Sequence, residues 1–410
     1  MKKINLFATA SLIIISVCIN CAAQNLKKSQ AKTKRLIVIM FDGFGRSYFQ
    51  SANMPYLKKA IEHGFYKEVK AGMPSITNVN NTSICTGTFP DQHGIIGNSY
   101  LDPVTGKEDF MENKDLVLAP TLFQKLQPYN IKSALISSKQ KTIHLLPAGT
   151  EIAISPEIAD SLWTGRIGKA PDIYSSEVNY WSMKAALYIL KNNKSIGCIY
   201  IHTTDYPMHM WPPKDTNMVS YLTHMDYYIN QLSIEAPDAI IMITADHDLN
   251  HKNHCIDIQK TLALQGITIK TAISVEKDKY PRHHSGYGGT SYVYLDGSSS
   301  ASVVAGAISK FKGVTSVLTR EEAASKYHLM PSRIGDLIVT ADSLTVFGLL
   351  EDVTSKDLPE TYRSHGSEFE TNVPLIILNA GQLPDPGYFK YNKDLTTWLF
   401  EDKFKSVLGK

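Results

Sequence analysis

Acidic and imidazole side chains recur directly after apolar runs in this sequence. Three of the runs end in aspartates, and further histidines follow in PMHM, in ADHD and late in the chain in RSHG. In chain order these side chains are Asp42, Asp205, His209, Asp246, His247 and His365. Each alone is typical of a turn cap or a satisfied core residue, but together they suit Zn²⁺ and similar divalent ions. Six ligands exceed one tetrahedral site and predict two metals about 4 Å apart, as in many phosphatases and nucleases.

Long apolar runs alternate with helical patterns along the chain. The runs are RLIVIMFDG (35–43), KSALISS (132–138), GCIYIHTTD (197–205), DAIIMITADHD (238–248) and NVPLIILNA (372–380). Such runs are typical of strands buried on both faces, and their alternation with helices predicts an α/β fold with a mainly parallel central sheet and helices on both faces. Because the carboxyl ends of parallel strands meet at one edge of a sheet, this fold would gather the aspartates and histidines there.

The segment 255–335 departs from this alternation and is rich in glycine and serine. We interpret it as a small cap subdomain inserted before the main sheet resumes at RIGDLIVTADS (333–343). His283 and His284 lie in this segment and could face the substrate or occupy an exposed loop, so they stay outside the predicted metal set.

The N-terminus has the features of a secretory signal peptide. Two lysines precede the uncharged apolar stretch LFATASLIIISVCIN, and CAAQ offers a cleavage site with small residues. We predict a signal peptide over 1–23, a polar linker over 24–34, and export to the periplasm or the cell exterior. No membrane span is expected in the mature chain, although a retained anchor, or lipid attachment at Cys18 or Cys21, stays open.

Composition narrows the classes of partner. The chain has 410 residues, a formal net charge of +3 and a pI of about 8.3, which is too mild to predict binding to a nucleic acid polymer or an anionic membrane. Only Cys85, Cys198 and Cys255 follow the predicted leader, so the chain is not a disulfide scaffold. His251 and His254 precede Cys255, and a loop edge there is favoured over a metal cluster.

The stretch MPSITNVNNTSICTG (73–87) carries five side-chain hydroxyls. Serine and threonine are common at helix starts because they cap free N–H groups, and the pattern predicts a helix over 78–86 with Thr77 at the cap position. Thr82, Ser83 and Thr86 are expected on that helix, packing or bonding back to the main chain. By itself the stretch does not say whether any hydroxyl is a nucleophile.

The order of the motifs carries a family resemblance. FDG, PSITN…TGTFPDQHGI, TTDYPMH, TADH and RSHG resemble the alkaline phosphatase superfamily, in its nucleotide pyrophosphatase/phosphodiesterase branch. Within that branch, MPSITNVNNTSICTG and SSKQK are most similar to the phosphonoacetate hydrolases. The resemblance runs from about residue 35 to 400 and implies one alkaline phosphatase-like catalytic domain over 35–410.

The resemblance also implies roles for individual residues. One metal, expected to be zinc, would be held by Asp205, His209 and His365, and the other by Asp42, Asp246, His247 and Thr77. Thr77 would be the nucleophile, activated by its metal and by the start of the helix. Asn98 would donate to a phosphoryl oxygen, while Lys139 and Lys141 would bind the substrate carboxylate, although two lysines after a strand are ordinarily solvated.

These roles imply a two-metal hydrolase that attacks phosphorus through Thr77 and converts phosphonoacetate to acetate and phosphate. A nucleotide pyrophosphatase or phosphodiesterase acting at the same site is the main alternative. The export signal favours this alternative, whereas the lysine pair and the lack of a clear aromatic pair to stack a base count against it. A non-catalytic binding protein would be expected to lack a ligand or the nucleophile. Whether the chain forms a homodimer stays open.

Overall fold

The computed structural model describes residues 34–279 and 285–401. The predicted signal peptide (1–23), the linker residues 24–33, and His283 and His284 lie outside the described residues. None of the described helices is long and apolar enough to cross a membrane.

A seven-stranded sheet forms the centre of the molecule. Its strands lie in the order Phe65–Lys70, Asn372–Leu378, Ile240–Thr244, Leu36–Met40, Ile196–His202, Lys132–Ser137 and Ile152–Ile154. The last five are mutually parallel. Asn372–Leu378 runs antiparallel to both of its neighbours, at the edge where the sheet ends with Phe65–Lys70. The predicted α/β class with a mainly parallel sheet is confirmed.

Helices cover the sheet on both sides. Every side chain of Leu36–Met40 is buried, and since alternate side chains of a strand point to opposite faces, neither face is open to solvent. The α-helices are Arg46–Ser51, Pro55–Ala60, Thr77–Thr86, Pro90–His93, Leu122–Leu126, Gln140–Leu145, Ser161–Ile167, Glu177–Asn192, Tyr206–Met210, Thr216–Glu235, Ile258–Ala263, Ala301–Ile308, Arg320–Tyr327 and Asp394–Phe400.

The register of the central strands brings three aspartates together. Met40 lies opposite His202 on one side and opposite Thr244 on the other, and all three strands point the same way. The residues that follow these strands therefore leave the sheet at one edge, and they include Asp42, Asp205 and Asp246.

A second, antiparallel sheet has its own apolar core. Its strands lie in the order Thr271–Ser274, Thr290–Tyr294, Leu337–Ala341 and Val314–Thr319. The prediction that the main sheet resumes within 333–343 is therefore wrong, because Leu337–Ala341 pairs in this smaller sheet. Leu337–Ala341 has an apolar sequence because both of its faces are buried. The core of the central sheet and the core of the smaller sheet can each bury a strand in this way. A cap with limits near 255–335 stays a prediction.

Short strand pairings hold the late histidine segment near the central sheet. Asn250–His251 pairs with Arg363–Ser364, and His254–Ile256 lies between Thr345–Phe347 and Ser355–Asp357, while Ser99–Leu101 pairs with Glu108–Phe110. The first of these pairings places His365 beside the segment that follows His247. Cys255 is fully buried within its strand, and the groups of described residues that could hold a metal do not include it.

The helix Thr77–Thr86 is buried along its whole length despite its polar sequence. Two of its hydroxyls bond back to the main chain of the helix: Thr82 Oγ1 donates to the Asn78 carbonyl (2.7 Å), and Thr86 Oγ1 donates to the Thr82 carbonyl (2.8 Å). Ser83 Oγ instead lies 2.8 Å from His93 Nε2. The predicted back-bonding of two of the hydroxyls is confirmed.

A fully buried ion pair fixes the loop after His365. Lys252 Nζ lies 2.8 Å from Glu370 Oε1, and neither side chain is exposed. The second oxygen of Glu370 accepts hydrogen bonds from the main-chain N–H (2.9 Å) and the hydroxyl (2.6 Å) of Ser367. The pair therefore connects the His365 loop to the strand segment around His251.

We expect Glu370→Gln to lower the free energy of unfolding by about 3–5 kcal/mol, because it leaves the charge of Lys252 buried and uncompensated. The matched control is Glu151→Gln, which breaks the exposed pair with Lys132 and should cost less than about 1 kcal/mol. Urea unfolding of both variants checks the difference. Equal losses in the two variants would contradict the expectation.

Candidate active site

Two clusters of acidic and imidazole side chains lie at the carboxyl edge of the central sheet. Within each cluster the candidate ligand atoms lie within 4.8 Å of one another, and every member is buried. One cluster consists of Asp42, Asp246 and His247, and the other of Asp205, His209 and His365. The structure thus brings together all six of the acidic and imidazole residues that the sequence analysis selected.

The Asp42 cluster depends on a sharp turn after the first strand. Gly43 has a φ of +70°, and a Cβ at this position would lie 2.8 Å from a methyl carbon of Leu249, so glycine is required. The turn lets the Gly43 N–H donate to Asp246 Oδ1 (3.0 Å), while the Asp42 N–H donates to the hydroxyl of Thr203 (2.9 Å). These two hydrogen bonds hold the carboxylates at adjacent strand ends.

The Asp205 cluster combines a short helix with a distant segment. Asp205 directly precedes the helix Tyr206–Met210, so His209 lies one turn later on the same face, with its Nε2 2.9 Å from Asp205 Oδ2. His365 arrives from the strand pair described above, and its Nε2 lies 3.6 Å from the same Asp205 oxygen.

The three histidines present the same ring nitrogen to the clusters. Their Nδ1 atoms lie against main-chain carbonyls: His209 against Arg363 (2.9 Å), His247 against Asp248 (3.1 Å) and His365 against Ser75 (2.9 Å). Because a carbonyl oxygen can only accept, each Nδ1 carries the proton and donates it. In the neutral ring, Nε2 is then the nitrogen that carries the lone pair a metal needs, an arrangement typical of metal-binding histidines.

Two ligand atoms have no hydrogen-bond partner among the described residues. They are His365 Nε2 and Asp246 Oδ2, both buried. Buried polar atoms without partners are costly and uncommon in folded proteins. A divalent cation in each cluster would satisfy them, so the residues present fit a two-metal centre.

Thr77 lies at the Asp42 cluster but does not cap its helix. It is the first helical residue, and extended Ile76 precedes it at the cap position without a capping side chain. The predicted cap position of Thr77 is therefore wrong by one residue, because the chain enters the helix only after Ile76. The Thr77 hydroxyl, which is not used as a cap, lies 3.3 Å from His247 Nε2 and 3.4 Å from Asp42 Oδ1.

Lys139 connects the two clusters. Its Nζ lies 2.9 Å from Asp42 Oδ2 and 2.9 Å from Asp205 Oδ1. Burial lowers the pKa of Lys139, but the two carboxylates outweigh burial and raise it well above its ordinary value, so the side chain stays charged. Lys141 forms an ion pair with Asp278, and neither lysine is a solvated surface residue.

Asn98 is buried and is bonded through its main chain to two other segments. Its N–H donates to the Val275 carbonyl (3.2 Å), and its own carbonyl accepts from the Met111 N–H (2.8 Å). Met111 in turn accepts from the side-chain amide of Asn78, the residue after Thr77. The buried Asn98 Oδ1 has no hydrogen-bond partner among the described residues.

A cavity of about 620 Å³ borders Asp205 of one cluster and Thr77, which contacts the other. Its lining includes Thr77, Lys139, Lys141, Asp205, Glu276 and Asp278, with Ile173 and Tyr174 on an apolar part of the wall. Of the predicted substrate-binding residues, the two lysines line it and Asn98 does not, within the described chain.

His202, which has no role in the sequence analysis, contacts a ligand of the Asp42 cluster. Its Nε2 lies 3.3 Å from Asp42 Oδ2, and its Nδ1 lies 2.9 Å from the hydroxyls of Ser137 and Thr142. Burial lowers the pKa of His202, so the ring is neutral and orients Asp42 by donating from Nε2. The sequence offered one indication of this contact: His202 ends the strand that leads to the predicted ligand Asp205, in the motif HTTD.

Ser75 joins the segment before Thr77 to the His365 loop. Its hydroxyl donates to the Ser367 carbonyl (2.6 Å) and accepts from the Gly366 N–H (3.2 Å), while its carbonyl accepts from His365. The sequence analysis did not find this link, because it joins residues almost three hundred positions apart. No local pattern in the sequence signals it.

The charges of the site shift its pKa values in opposite directions. Burial and the carboxylate of Asp42 raise the pKa of Asp246 well above its ordinary value. Burial and the carboxylate of Asp205 also raise the pKa of Asp42. Lys139 and the nearby histidines together outweigh these two effects, so the pKa of Asp42 falls below its ordinary value. Burial lowers the pKa of His365, but the carboxylates of Glu276 and Asp205 outweigh burial and raise it to about 9.

We expect the affinity of the Asp205 cluster for Zn²⁺ to rise with pH up to about 9, because below that pH His365 holds a proton that the ion must displace. One released proton corresponds to about tenfold per pH unit. Competition with a chelator of known affinity at several pH values, with protein-free zinc as the control, measures the slope. An affinity independent of pH would show that His365 releases no proton.

Comparisons with known proteins agree with this geometry. The family described as type I phosphodiesterase / nucleotide pyrophosphatase matches residues 36–368. A phosphonoacetate hydrolase from Sinorhizobium meliloti, solved with phosphonoacetate, superimposes with a TM-score of 0.80 at 28% identity, covering 92% of this chain and 96% of that one. Murine ectonucleotide pyrophosphatase/phosphodiesterase 5 shares the fold, with a TM-score of 0.66 at 14% identity over 89% of this chain and 94% of that one.

Curated relatives match a smaller part of the chain. A bis(5′-adenosyl)-triphosphatase from Mus musculus is 27% identical over 248 residues, which cover 57% of this chain and 52% of that protein. The human counterpart is 25% identical over 233 residues, covering 54% of this chain and 49% of that protein. The aligned region spans about half the length of these relatives. The family match covers most of the chain, and the chain therefore belongs to the type I phosphodiesterase / nucleotide pyrophosphatase family of the alkaline phosphatase superfamily.

Proposed function

We propose that the chain is a two-metal hydrolase that attacks phosphorus through Thr77 and converts phosphonoacetate to acetate and phosphate. One observation carries the proposal: the Thr77 hydroxyl lies at one cluster while two lysines line the same cavity. A nucleophile for phosphorus and cations for a carboxylate are thus present in one cleft. The likeness to the phosphonoacetate hydrolase from S. meliloti supports this substrate.

The surroundings of Thr77 suit a nucleophile. Thr77 is only 3% exposed, and it lies at the positive end of a ten-residue helix, which favours the alkoxide. A divalent ion held by Asp42, Asp246 and His247 would lower the pKa of the hydroxyl and polarise a phosphoryl oxygen. Attack by Thr77 Oγ forms a phosphothreonine, and hydrolysis by water then restores the hydroxyl and releases phosphate.

The two lysines suit the other product. Breaking the P–C bond leaves its electron pair on the acetate carbon, and this charge spreads into the carboxylate before a proton from water completes acetate. Lys139 and Lys141, both largely buried, would offset that charge from the wall of the cavity. In a phosphodiester the leaving group is an alkoxide without a carboxylate, so the lysine pair favours the phosphonate.

A phosphodiester is the second candidate, and the cavity itself favours it. Its volume of about 620 Å³ exceeds what phosphonoacetate fills, and Ile173 and Tyr174 offer an apolar wall. The ring of Tyr174 lies 6.4 Å from that of Tyr206. The sequence analysis found no aromatic pair for a base, and this wall is the structural feature that could hold a nucleoside.

Zinc, Asn98 and export belong to the same proposal. Asp and His ligands suit zinc, although manganese or iron would also be accepted. A phosphoryl contact by Asn98 would require its side-chain amide to face the cavity, although Asn98 is not among the described residues that line it. Export to the periplasm or the cell exterior, with or without a lipid anchor, is supported by the N-terminal sequence.

We expect the zinc-loaded mature protein to release phosphate from phosphonoacetate faster than it releases nitrophenol from bis-nitrophenyl phosphate or a phenylphosphonate ester. Because the lysine pair favours the carboxylate, the ratio of kcat/KM values should favour phosphonoacetate by at least about tenfold. Metal-depleted protein is the control. Turnover of the diesters without turnover of phosphonoacetate would replace the first candidate with the second.

We expect Thr77→Ala to lower kcat by at least about a thousandfold while the bound zinc, measured by elemental analysis, stays unchanged. The matched control is Thr82→Ala on the same helix, whose hydroxyl bonds only to the main chain and which should retain activity. Residual turnover close to that of the control would assign the nucleophile to another hydroxyl.

We expect Lys141→Met to lower kcat/KM for phosphonoacetate by about ten- to a hundredfold, since a hydrogen bond to a charged group contributes about 1.5–3 kcal/mol. Diester turnover should change less than about threefold, because a diester has no carboxylate for Lys141 to bind. Lys141 is a cleaner probe than Lys139, which also contacts Asp42 and Asp205. Equal losses on both substrates would remove the carboxylate role.

A further inference from the structure

A short segment of the smaller sheet forms one wall of the cavity. Residues 275–278 follow the strand Thr271–Ser274, and Glu276 and Asp278 line the cavity. Between them, Lys277 forms an ion pair with Glu108 (2.6 Å), a residue outside the cavity lining. Alternate side chains of this segment therefore have different partners.

The segment is anchored at its start. Val275 is fully buried, its N–H donates to the Thr290 carbonyl (3.1 Å), and its carbonyl accepts from the Asn98 N–H (3.2 Å). Glu276 Oε2 then lies 3.4 Å from His365 Nε2, at the Asp205 cluster. The residues two and three positions before Asp278 are thus held against the smaller sheet and the Asp205 cluster.

Asp278 forms an ion pair with Lys141 inside the cavity. The side chains are 21% and 14% exposed, so solvent screens the pair only partly. Burial raises the pKa of Asp278, but Lys141 outweighs it and the value falls to about 2, so the carboxylate is charged throughout the neutral range. Both partners are ionised whenever a substrate could bind.

The ion pair with Asp278 restricts the position of the Lys141 ammonium. A lysine ammonium lies at the end of a flexible four-carbon stem, so fixing it on a substrate costs side-chain conformational entropy. A contact that already holds the ammonium in the free protein removes this cost from the binding step. Lys139 lies close enough to repel Lys141 electrostatically. A carboxylate on the opposite wall keeps both ammonium groups in one cavity, and Lys141 retains two further N–H donors for an incoming carboxylate.

We propose that Asp278 is a positioning residue that makes the site selective for substrates bearing a carboxylate, by holding the Lys141 ammonium in the cavity. The inference rests on the proposed function, in which Lys141 binds the substrate carboxylate. Asp278 itself does not touch the phosphorus or the nucleophile; it acts through Lys141.

The kinetic test compares two substrates in each variant. Asp278→Asn should raise KM for phosphonoacetate about tenfold with little change in kcat, because the loss lies in preorganisation for binding, and it should leave diester turnover within about twofold. Asp278→Glu, which keeps the charge, should restore part of the loss. Glu108→Gln is the matched control, since it removes an ion pair of the same segment without touching Lys141.

A binding test needs no turnover. In zinc-loaded Thr77→Ala protein, calorimetry gives the ratio of dissociation constants for methylphosphonate and phosphonoacetate, which differ in the carboxylate. Adding Asp278→Asn should reduce this ratio about tenfold, through weaker binding of phosphonoacetate alone. Adding Glu108→Gln should leave the ratio unchanged.

The outcomes separate the two proposals. If Lys141→Met abolishes the preference for phosphonoacetate and Asp278→Asn does not, the inference fails while the proposed function stands. If Asp278→Asn weakens both ligands equally, its role is structural and the inference also fails. If the Thr77→Ala protein binds both ligands equally well before any further change, the inference fails together with the carboxylate role of Lys141, while hydrolysis of phosphonoacetate is decided by the turnover comparison with the diesters.

Discussion

Repulsion between three buried carboxylates is the constraint on which the rest of the structure depends. Asp42, Asp205 and Asp246 are at most 2% exposed and lie at one edge of one sheet. Like charges in such a place raise each other's pKa and oppose folding unless positive charge compensates them. Lys139 compensates two of them directly. The ligand clusters fit two divalent ions, which would supply the remaining positive charge.

The fold meets this constraint by collecting its polar partners from distant segments. Parallel strands deliver the aspartates, and the neutral ring of His202 orients Asp42 from the neighbouring strand. The pair of strands that ends at Ser364 delivers His365, and Ser75 ties its loop to the segment before Thr77. Main-chain carbonyls fix the tautomers of the ligand histidines, so the donor atoms point inward before any ligand arrives.

Apolar runs and strand-end acids were enough to predict the α/β sheet and to select side chains that meet in space. The errors have physical causes. Leu337–Ala341 has the same apolar pattern as a central strand, yet it packs in a second core. Thr77 was placed at the cap because threonine favours that position, whereas extended Ile76 occupies it. The phosphoryl contact of Asn98 stays a prediction, because no spacing in the sequence specifies where its side chain points.

The sequence by itself determined the fold class and the side chains that meet at the sheet edge, because burial on both faces and strand ends leave local patterns of residue types. The order of its motifs gave the family through a resemblance. Only the tertiary structure decided which groups those side chains contact. The Lys139 bridge, the Ser75 link and the ion pair of Lys141 with Asp278 each join separate segments of the chain. Their partners are set by how strands and loops pack, and such packing leaves no periodic signal in the sequence.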